Sequence, residues 1–157
     1  MKTIVMMVFG LMLTGCATQR VATQSGVMVS KYPASAIGSW KRFDQRGSDL
    51  MRGKPQVIPA LQPGETVISG ATLRQRAKDL GVVTGQAYAE LMMKNQKLLP
   101  TPTGPCKFVF PGTMWRMPQG VMVMPYLDWD GAQWQIKYAA LNVPWGTGTY
   151  LIKVTPQ

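Results

Sequence analysis

Four methionines, Met114, Met117, Met122 and Met124, fall close together, with Cys106 upstream. Thioethers and thiolates are soft donors that select Cu(I). Two features oppose a copper site. Met122 and Met124 alternate within a strand-like run, where methionine fills irregular cores, and the chain contains 0 histidines to complete a donor set. Copper handling is therefore the third of three functional readings, and no metal or cofactor is expected. Asp128 and Asp130 flank Trp129. Paired carboxylates can cleave glycosides when an apolar setting keeps one protonated. Here Asp130-Gly131 reads as a hairpin turn, where water keeps both ionised. Without histidine no nucleophilic triad can form, and Cys106 has no visible base. The expectation is a non-catalytic protein.

The other cysteine, Cys16, follows a different logic. Lys2 precedes a nearly unbroken apolar run from Ile4 to Leu13. A bilayer span needs about 20 apolar residues, and a shorter run behind a basic start reads as a secretory signal peptide. Leu13-Thr14-Gly15-Cys16 then resembles the lipobox of bacterial lipoproteins: Leu, a small residue, Gly or Ala, and Cys. The resemblance implies cleavage before Cys16, a diacylglycerol on its sulfur and a further acyl chain, such as palmitate, on the new amine. Stable anchoring takes more than one chain, at about 0.8 kcal/mol per buried methylene. In a bacterium with two membranes, Ala17 in place of Asp implies the periplasmic face of the outer membrane.

The chain carries 17 Lys and Arg against 7 Asp and Glu, a formal net charge of +10. Such an excess points to anionic neighbours rather than to a fold. The candidates are phospholipid headgroups, envelope polymers, an acidic partner protein or a nucleic acid in transit. A lipid anchor argues against an ordinary cytoplasmic DNA-binding role, and no direct nucleic-acid role is expected. With Cys16 consumed by lipid, Cys106 is left alone. It is expected to be buried at the head of the run CKFVF, the alternative being a bond between chains.

These residues need elements to position them. Residues 1–15 read as the signal peptide, 16–69 as a lipidated tether and irregular basic arm, and 70–157 as a small α+β domain. The arm is punctuated by glycine and proline. Its stretch from Lys31 to Lys54 interleaves basic residues with aromatics, a pattern suited to anionic or stacking surfaces. Trp40, Lys41, Arg42 and Arg46 are the partner-contact candidates there. The spacing of Leu73, Ala77, Leu80, Thr84, Ala87 and Leu91 predicts one helix over 71–97, capped by Thr72 or Ser69. Ala77, Gly81, Gly85 and Ala89 recur every four residues, so Gly81 and Gly85 would form a smooth edge. That edge could face the protein's own sheet or receive another subunit.

Strands are expected at 106–110, 121–127, 132–139 and 149–155, with Pro125 confining the second to an edge or a bulge. The predicted fold class is α+β: one helix packed on a small antiparallel sheet with one apolar face, preceded by the extended arm. Trp115, Trp129 and Trp145 fall in predicted loops. Trp115 and Trp145 are candidates for stacking on a sugar or anchoring a partner.

The run 73–92, followed by KFVF and VMVMPYL, resembles the DotC/TraI lipoproteins of type IVB secretion and conjugation machines. The shared features are Leu80, Gly81, Gly85 and Ala87, then Phe108 and Phe110, then Pro125. The resemblance implies a structural subunit of an envelope-spanning assembly, oligomeric and surrounded by other envelope proteins. The alternative is a standalone periplasmic module that binds peptidoglycan, a glycan or an anionic ligand.

Overall fold

The computed structural model describes residues 38–44, 53–96, 99 and 101–156. The expected signal peptide, Cys16 and Arg46 lie outside the described residues. Among those described, nine strands and two helices form a mixed α+β fold. The first three strands are β1 (Lys41–Asp44), β2 (Gly53–Pro59) and β3 (Val67–Ser69). Two helices follow, α1 (Gly70–Asp79) and α2 (Gln86–Lys94). The remaining strands are β4 (Lys107–Val109), β5 (Thr113–Arg116), β6 (Met122–Trp129), β7 (Trp134–Ala140), β8 (Pro144–Gly146) and β9 (Thr149–Pro156).

β6 is the centre of a seven-stranded sheet. Val123 pairs with Trp115 on one side and Ala140 on the other, and Tyr126 with Val109 and Lys137. β4 and β5 therefore lie end to end along one edge of β6, while β7 runs along the other. β1 pairs outside β5, and β9 then β2 lie outside β4. Pro125, expected at an edge or a bulge, stands in this central strand, opposite the point where β4 gives way to β5. Its carbonyl accepts the Phe110 N–H at 3.0 Å, while the Phe110 carbonyl takes the Thr113 N–H at 3.4 Å instead. The partner chain loops out where proline has no N–H to donate. The bulge, not an edge, accommodates it.

The sheet is not wholly antiparallel, since β4 and β9 run parallel. Nor is it apolar on one face only. Along β9, Tyr150, Ile152 and Val154 point toward α2, as their alternation predicts, but Leu151 is buried on the opposite face with α1. The α1 core joins Leu73, Ala77 and Val82 to Val109, Met124 and Tyr126. The α2 core joins Tyr88 and Ala89 to Phe108, Phe110 and Leu127.

The single predicted helix is two, packed on opposite faces. Ser69 caps the first: its Oγ accepts the Thr72 N–H at 3.0 Å. The helix then stops at Gly81, with φ +67°. The Gly81 N–H donates to the Lys78 carbonyl at 2.9 Å and the Val82 N–H to the Ala77 carbonyl at 2.8 Å. This paired ending needs a left-handed residue, which glycine adopts at least cost. The next residues are held by the sheet. Thr84 Oγ1 donates to the Ile152 carbonyl at 2.6 Å, and the Thr84 carbonyl accepts the Gly112 N–H at 2.9 Å. Ala77, Gly81, Gly85 and Ala89 consequently share no helix edge. Ala77 belongs to one core, Ala89 to the other, and the two glycines to the connection.

Three strands come from the stretch read as irregular arm. β1 pairs with β5, β2 with β9, and β3 with β8. β2 tolerates Pro55 and Pro59 because it forms the sheet's outer strand, and the β3–β8 pair lays Ile68 and Trp145 into the α1 core.

Candidate functional site at a basic sheet edge

Among the described residues β1 pairs on one side only, with β5. Lys41 stands opposite Arg116, Arg42 opposite Trp115, and Phe43 opposite Met114. Side chains alternate along a strand, so Trp40 and Arg42 face the α2 side while Lys41 and Phe43 face the α1 side.

Trp40 packs edge-on against Tyr138 at 5.4 Å and Trp115 at 6.4 Å between ring centroids. The Arg42 guanidinium lies 5.8 Å from the Trp115 ring and Lys41 Nζ 5.3 Å from the Phe43 ring. Each aromatic face thus holds a cation at the edge. Gln86 fixes the arrangement from beneath: its Oε1 accepts from Trp115 Nε1 at 2.6 Å and from the Tyr138 hydroxyl at 3.2 Å. Burial, reinforced by the nearby Glu90 charge, pushes the Tyr138 phenol above its ordinary range, so it remains a donor. Thr113 Oγ1 in turn accepts the Gln86 N–H at 2.9 Å.

The structure therefore brings together Trp40, Lys41, Arg42 and Trp115. It also corrects them in part. Trp40 is a core residue, 9% exposed, with its ring turned into its own domain. Trp115 sits half-buried within β5 rather than in a loop, and Trp129 ends β6. Trp145, expected in a loop, lies in β8, is 3% exposed and packs edge-on to Tyr126 at 5.1 Å. It offers no surface to a sugar or partner. Gly81 closes a helix, and buried Gly85 opens the next as its N-cap. Gln86, Thr113 and Arg116 were not singled out by the sequence. Arg116 alone carried a legible signal, as another cation beside a tryptophan.

The remaining chemical candidates disperse. Met114 and Met124 are buried in the α1 core with Met122 against it, whereas Met117 packs with Trp40. No group of three or more His, Cys, Asp or Glu among the described residues could hold a metal. Asp128 is paired with Lys137. Asp130 Oδ1 accepts the N–H groups of Ala132 and Gln133 at 3.0 and 2.9 Å, which is the chemistry of the turn. Cys106 is buried. Glu65 forms a two-armed pair with Arg76, at 2.7 and 2.9 Å, and the guanidinium bonding to it holds its carboxyl below the ordinary value. On the α2 face an apolar groove of about 300 Å³ runs between Val57, Tyr88, Met92 and Leu99. No helix among the described residues is long and apolar enough to cross a membrane.

Neither a protein-family model, nor a curated protein, nor a solved structure matches this chain.

Proposed function

We propose that this chain is a non-catalytic lipoprotein of the outer membrane, held on its periplasmic face by acyl groups on Cys16. It serves as a structural subunit of an envelope-spanning assembly of the type IV secretion or conjugation class. The observation that carries the reading is Leu13-Thr14-Gly15-Cys16, placed directly behind the apolar run from Ile4 to Leu13. The β1 edge supports a docking role. Among the described residues β5 is the one strand that pairs with β1, and Lys41, Arg42 and Arg116 fringe the edge. Like charges along an edge discourage pairing with a second copy. An acidic partner segment in extended conformation could instead add to the edge through main-chain hydrogen bonds.

The test is crosslinking in intact cells, followed by recovery of the acylated protein from membranes. Large envelope proteins should be recovered, with yields that fall in a Lys41→Glu, Arg42→Glu double variant. Recovery of monomer alone, or a Cys16 without acyl groups by mass spectrometry, overturns the reading.

A further inference from the structure

A second feature stands apart from the β1 backbone edge. Beside α1 opens a cleft of about 490 Å³. Phe43, Met114, Met122 and Leu141 line it with apolar surface, and Arg74 and Lys78 supply its charge. The two cations are one helical turn apart on α1, so they project together. The ion pairs Glu65–Arg76 and Asp128–Lys137 involve neither of them. Arg74 Nε is buried and finds no hydrogen-bond acceptor among the described residues. A guanidinium N–H buried without an acceptor is unfavourable, and an anionic oxygen is the partner it best accommodates. Phe43, 39% exposed, forms an apolar wall, and Lys41 adds a third cation 5.3 Å from its ring.

We propose that this cleft binds a phosphate ester carrying an apolar portion. Arg74 and Lys78 hold the phosphate oxygens through their charged ends. Phe43, Met122 and Leu141 cover the carbon-rich part. A lipid headgroup and a soluble organophosphate share this chemistry. Two positive charges on an apolar floor favour such a ligand over a neutral sugar, which would leave the guanidinium without its anion. The site shares Lys41 and Phe43 with β1 but does not rest on the assembly role: failed crosslinking leaves it standing, and a silent titration leaves the assembly reading standing.

Calorimetric titration of the full chain tests it with three probes. These are dihexanoyl phosphatidylglycerol below its micelle concentration, dihexanoyl phosphatidylcholine, and glycerol 3-phosphate. Phosphatidylglycerol should bind more tightly than phosphatidylcholine. Losing one charge-assisted hydrogen bond should cost about tenfold or more in affinity, so Arg74→Gln and Lys78→Gln should each weaken binding that much. Lys94→Gln, remote on α2, should stay within about twofold. Phe43→Ala should weaken the lipid and spare glycerol 3-phosphate. Glycerol 3-phosphate, which lacks an apolar portion, should bind much more weakly than phosphatidylglycerol, and equal binding of the two overturns the role given to the apolar wall. The proposal is overturned if no phosphate probe binds, if phosphatidylcholine binds equally well, or if Arg74→Gln and Lys78→Gln variants with wild-type circular dichroism bind as the parent does.

Discussion

The hydroxyl of Thr113 accepts the backbone N–H of Gln86 at 2.9 Å, so a strand of the central sheet caps the second helix. The N-cap residue itself, Gly85, has no side chain to do so. The same Gln86 holds Trp115 and Tyr138, and the bond therefore links the start of α2 to the basic edge. Thr113→Val keeps the volume and removes the acceptor. It should cost about 1 to 2 kcal/mol, read as a lowered urea midpoint with unchanged slope. Stability equal to the parent would remove Thr113 from this role.

Two glycines should fail for different reasons. Gly81→Ala places a side chain at φ +67° but meets little, Lys153 Nζ lying 4.0 Å from the new carbon. The expected cost is about 1 kcal/mol. At Gly112 an added carbon would stand 2.1 Å from the Val83 carbonyl oxygen and 2.8 Å from that of Thr84. The backbone there cannot retreat without breaking the Gly112–Thr84 bond, so Gly112→Ala should cost about 3 kcal/mol or more. Thermal denaturation of both variants decides the order, and equal losses would contradict it.

Trp145→Ala should behave as a core deletion. Its ring packs against Tyr126 and its neighbours in the α1 core, and losing a buried tryptophan costs about 3 to 5 kcal/mol. A variant of parental stability would place Trp145 outside the core.

Acid should weaken the fold in part through Glu65. Hydrogen bonding from Arg76 holds its carboxyl below the ordinary value of 4.5. A lowered folded-state pKa gives stability that is present above the unfolded value and lost as pH falls through the folded one. The parent should therefore lose more stability than Glu65→Gln between pH 5 and the acid limb, as followed by urea denaturation at stepped pH. Parallel acid limbs would show that this part-buried pair contributes nothing measurable.

Alkali acts with the opposite sign. Burial, with a smaller contribution from Asp128, raises the Tyr126 phenol far above its ordinary value of 10. Burial also raises Tyr88 and Tyr138. A raised folded-state pKa gives stability that is complete below the unfolded value and is lost as pH rises past it. Stability should fall above about pH 10, and Tyr126→Phe should show a shallower fall. An unchanged alkaline slope in that variant would sink the assignment.

What the sequence alone determined lay in local periodicity. Alternation at Trp134, Ile136 and Tyr138, and at Tyr150, Ile152 and Val154, located β7 and β9 and the face each turns to α2. The turn at Asp130-Gly131 followed from single side chains and their neighbours, the cap was narrowed to Thr72 or Ser69, of which Ser69 forms it, and burial was the favoured of two expectations for Cys106. At the candidate site, the cations and aromatics at 40–42 and Trp115 were legible as residue types, but not their meeting place. The tertiary structure decided the rest. The 3.6-residue pattern runs unbroken through Leu80, Thr84 and Ala87, and a lone Gly81 does not forbid a helix. The helix divides because Thr84, Gly112 and Ile152 exchange hydrogen bonds across distant parts of the chain. β1, β2 and β3 are short and proline-marked or unpatterned, and they become strands only by pairing with residues 113–116, 150–156 and 144–146. Short strands gain their hydrogen bonds from partners far along the chain, so no window of local sequence contains the interaction that makes them.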